Sequence, residues 1–282
     1  MKKILVPIDF SDVAMNAFKY ALKIAKKMEW SVEVLHIYKF PVIDPYMPVD
    51  ILNSLAKDNE EQAVAYFTNY IKNASEEVHK TLERVSVTYH LQMGFAADEI
   101  TGFVKKIRAD MIVMGTTGAS KLKAMFLGSV AGEVMEKATC PVLVIPQDAT
   151  FNGKIQKIAM PIDFDKENEY ALVYMSELSK KLNAKLTCFH IDLAHKEQFT
   201  HEMKKVAQKY EKDYNIFFEV IEGTELLQEI GNYATKNEVD VLAMLTHKRS
   251  FFKELFSLNH AKQLSYQSSV PILAIQAHLF KS

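Results

Sequence analysis

Cysteine is scarce in this sequence, which has only Cys140 and Cys188 among its 282 residues. The two lie far apart and neither belongs to a Cys-x-x-Cys pair, so neither a disulfide framework nor a structural zinc site is indicated. His195 and His201 are six residues apart, a spacing that does not suit a metal-binding pair. We therefore expect no metal-binding residues and a reducing compartment, the cytoplasm.

Long runs of one kind of residue are also missing. The net charge is −1, and Lys and Arg occur only in short clusters such as 26–27 and 180–181, so the chain has no electrostatic footprint for nucleic acid. The N-terminal segment MKKILVPIDFSD has too few apolar residues before Asp9 for a signal-peptide core or a membrane span. We expect no nucleic-acid partner and no membrane partner.

The composition is that of an ordinary soluble globular protein, with 49% hydrophobic and 24% charged residues. Domains usually have about 100–200 residues, so the length predicts two of them. Halves of about 140 residues are long enough to bury a core without disulfides or metals.

An internal repeat supports this division. KILVPIDF at 3–10 aligns with KIAMPIDF at 157–164, and PVLVI at 141–145 aligns with PILAI at 271–275. Agreement near both ends of each half indicates a duplication. The polar segment at 147–154 contains Asn-Gly and is typical of a linker. We expect domains at 1–148 and 154–282.

Short apolar runs alternate with amphipathic stretches in each half. In the first half, the pattern predicts strands at 3–8, 31–37, 85–92, 110–115 and 141–146 and helices at about 12–28, 50–80, 96–108 and 129–138. The second half repeats this order with a shorter second helix at about 197–213. Continuous Val/Ile/Leu runs joined by helices indicate parallel strands that are covered on both faces. The predicted fold is α/β: two tandem doubly wound domains, each with a five-stranded, mainly parallel sheet flanked by helices.

The segment GTTGASKLKAMFLGS at 115–129 follows a buried-type strand and leads into a helix. Glycines at 115 and 118 permit a close backbone approach, and Ser129 stands where exposed amide groups and a helix dipole favour a phosphate. The spacing matches neither a Walker A loop nor Gly-x-Gly-x-x-Gly. The residues alone leave two alternatives open: a phosphate loop, or a glycine turn before a Ser-capped helix.

The complete segment has the pattern Gly-x-x-Gly, nine residues, then Gly-Ser. Together with VPIDFSD at 6–12 and His-Ile at 36–37, it resembles the universal stress protein family, whose nucleotide-binding members carry Gly-x-x-Gly, nine residues and Gly-[Ser/Thr]. The resemblance covers both halves. It implies an adenine nucleotide alpha hydrolase-like fold and a stress-response protein that binds ATP, ADP or AMP in its first half. It leaves open whether Mg²⁺ accompanies the nucleotide.

The same resemblance implies roles for individual residues. Asp9 would lie near the adenine or ribose, with a turn or N-cap role as the alternative, and Ile37 would lie near the base. The ribose and phosphate path would be lined by Gly115, Thr116, Thr117 and Gly118. The phosphates would be held by Gly128, Ser129 and Val130. Pro7 and Met114 complete the set of predicted nucleotide-binding residues.

The second half departs from this motif. At an offset of 130, its counterpart reads LTHKRSFFKELFSLN, so Leu245 replaces Gly115 and Leu258 replaces Gly128. Side chains then stand where close backbone approach was required, and we expect one nucleotide per chain. His247, Lys248 and Arg249 could bind a different anion, but a solvated loop is the better interpretation.

The leading hypothesis is a regulatory protein without catalytic activity, in which the second half completes an internal pseudo-dimer. The family resemblance implies that the terminal strands 141–146 and 271–276 pair with each other in it. A homodimer of the whole chain stays open. The alternatives are a slow ATP hydrolase or adenylyl-handling enzyme, and an interaction module without nucleotide. His36 and His190, at equivalent strand ends, are interpreted as structural histidines with satisfied hydrogen bonds.

Overall fold

The elements of each half follow one another as β and α units. The computed structural model describes residues 1–38, 48–74, 76–116, 129–149, 154–164, 166–193, 197–214, 216–246 and 270–277. The first half contains β1 (Lys3–Ile8), α1 (Asp12–Met28), β2 (Ser31–Tyr38), α2 (Val49–Lys72), α3 (Glu76–Leu82), β3 (Val87–Met93), α4 (Ala96–Ile107), β4 (Met111–Gly115), α5 (Ser129–Lys137) and β5 (Val142–Ile145). The second contains β6 (Lys157–Pro161), α6 (Lys166–Leu182), β7 (Lys185–Asp192), α7 (Glu197–Tyr214), β8 (Ile216–Glu222), α8 (Leu226–Lys236), β9 (Val241–Thr246) and β10 (Ile272–Gln276).

One predicted helix differs. The amphipathic stripe at 50–80 predicts a single helix, whereas the structure has α2 and α3 in this region. Helix α2 ends at Asn73, whose backbone (φ −85°, ψ 1°) has left the helical region. Asparagine competes with the backbone for hydrogen bonds and favours helix ends, which an apolar stripe does not reveal.

The ten strands form one continuous sheet in the order β3-β2-β1-β4-β5-β10-β9-β6-β7-β8. Within each half every recorded pairing is parallel, as the apolar runs predict. The halves meet where β5 and β10 pair antiparallel, with Leu273 opposite Leu143. This is the pairing of terminal strands expected from the sequence. The α/β fold with two tandem domains is confirmed.

The hydrophobic core has two parts, and each of them extends through both halves. One buried cluster includes Phe18, Leu143 and Leu273, and the other includes Ile112, Phe189 and Ala274. Neighbouring residues of a strand, such as Leu273 and Ala274, fall in different clusters because their side chains point to opposite faces. The two clusters therefore cover the two faces of the sheet, and the junction of the halves lies inside both.

The duplication extends to the ends of helices and the starts of strands. Helices α1 and α4 end at Glu29 (φ 57°) and Arg108 (φ 53°), and their counterparts at offsets of 154 and 130, Asn183 and Glu238, also have positive φ. Asp110 accepts a hydrogen bond from the Lys3 amide at 2.9 Å, and its counterpart Asp240 accepts from the Lys157 amide at 2.8 Å. Each half therefore fixes the start of its first strand with the same carboxylate.

Both thiols lie in the core. Cys140 is 4% exposed and Cys188 is fully buried. Burial raises the pKa of Cys140 to about 12, with a smaller contribution from Asp110, and burial also raises the pKa of Cys188 above its ordinary value. The folded protein therefore keeps both thiols protonated at pH values where an unfolded chain would ionise them.

We expect this difference to make stability fall with rising alkaline pH. Below the unfolded thiol pKa of about 8.5 the stabilisation is fully present. Above it the unfolded state binds fewer protons, so the free energy of unfolding drops by about 1.4 kcal/mol per pH unit for each thiol. Urea unfolding between about pH 7 and pH 10 measures the slope, and the Cys140→Ala/Cys188→Ala double variant is the control. An equal slope in the double variant would contradict the assignment.

Candidate functional site

The strand order brings three predicted site segments to one edge of the sheet. From β1 the chain moves to β2 on one side and later returns to β4 on the other, so the order reverses at β1. Ile8 is opposite His36 in β2, and Leu5 is opposite Ile112 in β4. Because the strands are parallel, their carboxyl ends lie side by side, and this reversal point is where doubly wound sheets bind ligands. The candidate residues at this edge are Pro7, Asp9, Ile37, Met114 and Gly115.

The loop after β1 is held in a tight turn by Asp9. Its Oδ1 accepts hydrogen bonds from the Ser11 hydroxyl at 2.6 Å and the Ser11 amide at 3.2 Å. Ser11 in turn caps α1, since its Oγ accepts from the Ala14 amide at 3.2 Å. Between them, Phe10 has the left-handed φ of 64°, which costs about 1–3 kcal/mol in a residue that is not glycine. Asp9 therefore has a turn role, and its ligand role stays a prediction.

Aromatic side chains from α2 cover this loop. The Phe10 ring centroid lies 4.3 Å from that of His36 and 5.4 Å from that of Tyr70. The Tyr70 hydroxyl donates to the Ser11 carbonyl oxygen at 3.3 Å. Burial, followed by the charges of Asp9 and Asp12, raises the pKa of Tyr70, so it remains a neutral donor. The apolar stripe of α2 predicted that this helix packs against the sheet. It did not indicate that α2 would cover the loop of the candidate site.

The end of β4 supplies a partly open backbone edge. Met114 is 6% exposed and contributes to the core, whereas Gly115, opposite Ile145, is half-buried. Thr116 is 8% exposed and donates its amide to the Ile145 carbonyl oxygen at 3.0 Å, so that amide serves the sheet. Thr117, Gly118 and Gly128 lie outside the described residues.

Helix α5 begins at Ser129, the predicted phosphate-binding position. The first amide groups of a helix have no partner within it, and they carry the positive end of its dipole. Val130 packs, partly buried, against the cluster that also contains Met114, and so does Ile37. Ile37, Met114 and Val130 therefore belong to the apolar cluster on one face of the sheet.

The second half contacts α5 directly. The side chain of Gln276, 3% exposed, donates from Nε2 to the Met135 carbonyl oxygen at 2.7 Å. This contact joins the last strand of the chain to the helix that starts at Ser129. No pattern in the sequence points to Gln276, whose counterpart, Pro146, directly follows β5.

The two strand-end histidines have the predicted structural role. The His36 Nδ1 lies 2.9 Å from the carbonyl oxygen of Ile8, the last residue of β1. The His190 Nδ1 lies 2.9 Å from the carbonyl oxygen of Ile162, the residue after β6. Both rings also contact a phenylalanine, Phe10 or Phe164. Each ring therefore has, at Nδ1, the backbone hydrogen bond that the structural interpretation predicts.

The equivalent edge of the second half lacks the open backbone. Leu245 stands at the position of Gly115, and its partly buried side chain packs against the core. Residues 247–269, which include the predicted alternative anion site at 247–249, lie outside the described residues. Within the described part of the chain, no group of three or more His, Cys, Asp or Glu side chains is placed to hold a metal ion. Nor does any helix there have the length and apolarity needed to cross a membrane.

Comparison with known proteins agrees with the duplicated architecture. The model of the universal stress protein family matches residues 1–146 and again residues 154–276. Universal stress protein MJ0531 of Methanocaldococcus jannaschii is 38% identical over 152 residues, which cover 51% of this chain and 81% of that protein. Universal stress protein MJ0577 of the same organism is 34% identical over 154 residues, covering 51% and 94%. The crystal structure of a universal stress protein from Archaeoglobus fulgidus DSM 4304 has the same fold over 98% of both chains, with a TM-score of 0.71 and 19% identity.

Proposed function

The chain belongs to the universal stress protein family, with two copies of the family domain in tandem, and from this we propose that its first half binds ATP as a regulatory ligand. The adenine would lie against the apolar side chains of Ile37, Met114 and Val130. The Asp9 carboxylate would accept a hydrogen bond from the ribose or base, and the first amides of α5 would receive phosphate oxygens. Mg²⁺ would arrive bound to these phosphates.

One observation carries the proposal: Pro7, Asp9, Ile37, Met114 and Gly115 belong to the carboxyl ends of β1, β2 and β4 or to the loop after β1, where the strand order reverses. The carboxylate of Asp9 is fixed there by its bonds to Ser11, and Gly115 ends β4 without a side chain. The start of α5 provides donors for an anion. An apolar surface, an acceptor and a set of backbone donors are the three features that an adenine nucleotide requires.

We further propose domains at 1–148 and 154–282 that act as an internal dimer in the cytoplasm. The antiparallel pairing of β5 and β10 and the contact of Gln276 with Met135 support coupling between the halves. Two free, buried cysteines are compatible with a reducing compartment. In this arrangement ATP changes the conformation or partners of the protein and is not consumed.

Calorimetric titration of the full chain with ATP tests the site. We expect one ATP per chain and a loss of affinity of about tenfold or more in Asp9→Asn, because a hydrogen bond to a charged acceptor contributes about 1.5–3 kcal/mol. Asparagine keeps an oxygen for the Ser11 donors, so the turn should persist. Asp163→Asn, the same change at the equivalent position of the second half, is the matched control and should bind ATP normally.

Two results would contradict the proposal. The first is an absence of ATP binding at millimolar concentrations in the natural protein. The second is steady-state phosphate release at ordinary enzyme rates, which would make the protein an ATP hydrolase. Unfolding curves of both variants should match that of the natural protein, because each substitution is isosteric and neither residue belongs to the core.

A further inference from the structure

A cavity persists at the degenerate edge of the second half. It has a volume of about 100 Å³ and lies between the ends of β6, β7 and β9 and the start of α8. This is the reversal point of the second half, equivalent to the candidate ATP site of the first. The lining residues that are least exposed are apolar: Ile162 at 4%, Ile230 at 1% and Met244 at 2%.

The lining has been retained more strictly than its surroundings. In the two alignable blocks, 12 of 35 positions are identical between 3–37 and 157–191, and 5 of 20 are identical between 96–115 and 226–245. Of the ten lining residues, seven are identical to their first-half counterparts. The identical pairs are Pro161/Pro7, Ile162/Ile8, Asp163/Asp9, His190/His36, Ile191/Ile37, Ile230/Ile100 and Met244/Met114.

The three lining residues that differ are all larger in the second half. Asn168 replaces Ala14, Leu226 replaces Ala96 and Leu245 replaces Gly115. These side chains reduce the space, and Leu245 occupies the position where Gly115 leaves the backbone open in the first half. The pocket has therefore kept its apolar floor and polar rim but has become too small for a nucleotide.

The described polar rim presents two hydrogen-bond acceptors, the carboxylate of Asp163 and one ring nitrogen of His190, beside the buried amide side chain of Asn168. Asp163 presents a carboxylate whose side chain is 83% exposed, and a carboxylate accepts but does not donate. The His190 Nδ1 lies 2.9 Å from the Ile162 carbonyl oxygen, so Nδ1 donates and, in the neutral ring, Nε2 is an acceptor. Among the lining residues that the structure describes, none is a lysine or an arginine.

We propose that the second half binds a small neutral molecule without phosphate that consists of one amino-substituted heteroaromatic ring, such as an aminopyrimidine. The apolar floor of Ile230 and Met244 contacts the ring, and the Asp163 carboxylate accepts from its amino group. A pocket of about 100 Å³ that opens to solvent limits the ligand to a single ring, with its amino edge at the rim. This site is independent of ATP binding in the first half.

Methyl NMR of the full chain labelled at its methionines tests the location of binding, with cytosine and ATP as probes. Met244→Leu and Met114→Leu assign the two relevant signals. We expect cytosine to shift the Met244 signal saturably and to leave Met114 in place. Asp163→Asn should weaken cytosine binding by about tenfold or more, and Asp9→Asn should not. Cytidine should bind, and CMP should bind no more tightly than cytidine.

Three outcomes would overturn the inference: no saturable shift of Met244 up to about 10 mM cytosine, binding that Asp163→Asn leaves unchanged, or CMP binding more tightly than cytidine. ATP provides a separate readout at Met114. If cytosine shifts the Met244 signal but ATP does not shift the Met114 signal, the proposed function is rejected and this second site is retained. If ATP shifts Met114 but cytosine does not shift Met244, only this second site is rejected.

Discussion

Replacing Gly115 with leucine, the residue at the equivalent position of the second half, should abolish ATP binding without disturbing the fold. Gly115 ends β4 at the reversal point, where the proposed nucleotide would approach the backbone. A leucine side chain would occupy that approach. We expect a loss of at least about 100-fold in affinity, equivalent to about 2.7 kcal/mol, measured by calorimetry. The strand should tolerate the change, because β9 carries Leu245 at this position and still pairs with β10.

Gly102→Leu is the matched control for this substitution. Gly102 lies on α4, and a Cβ atom added there would meet no other atom within 4 Å. The variant should bind ATP normally, and its stability should rise by about 1 kcal/mol because leucine favours a helix more than glycine does. Unchanged ATP affinity in folded Gly115→Leu would show that the nucleotide does not approach this edge.

Truncation of the leucines at the junction of the halves should give the largest loss of stability. Leu143 and Leu273 are opposite each other in β5 and β10, and each is 2% exposed. We expect Leu143→Ala and Leu273→Ala each to lower the free energy of unfolding by about 2–5 kcal/mol, the range for a buried leucine. Because both core clusters extend through the two halves, unfolding should remain a single transition in each variant. Urea unfolding followed by circular dichroism and tryptophan fluorescence measures both properties.

Leu193→Ala serves as the control for side-chain truncation. Leu193 is 45% exposed, so its truncation should change stability by no more than about 0.5 kcal/mol. In the double variant Leu143→Ala/Leu273→Ala, the loss in free energy of unfolding should differ from the sum of the two single losses, since the effects of residues in contact are rarely additive. Separate transitions for the two halves, with only one of them shifted by Leu273→Ala, would contradict a shared core.

The sequence by itself determined the fold class, the duplication and the loss of the glycine motif in the second half. These features depend on local periodicity and on gapless alignment, as in KILVPIDF and KIAMPIDF, and each requires only that side chains alternate or repeat along the chain. The hydrogen-bonding role of His36 and His190 was predicted against a shared ligand role, and the pairing of the terminal strands was implied by the family resemblance. The end of α2 at Asn73 was not predicted, because helix ends are set by local hydrogen-bond competition that an apolar stripe does not reveal.

The tertiary structure alone decided which of these elements meet. The strand order shows that Asp9 and Gly115 share one edge. Side-chain hydrogen bonds show that Tyr70 covers the loop of Asp9 and that Gln276 reaches Met135 from 141 residues away. The structure also shows that the second half kept a small pocket where the sequence showed only a lost motif. The physical reason is that contacts between distant elements depend on the packing of whole faces, to which each residue contributes a small part and which no short pattern encodes.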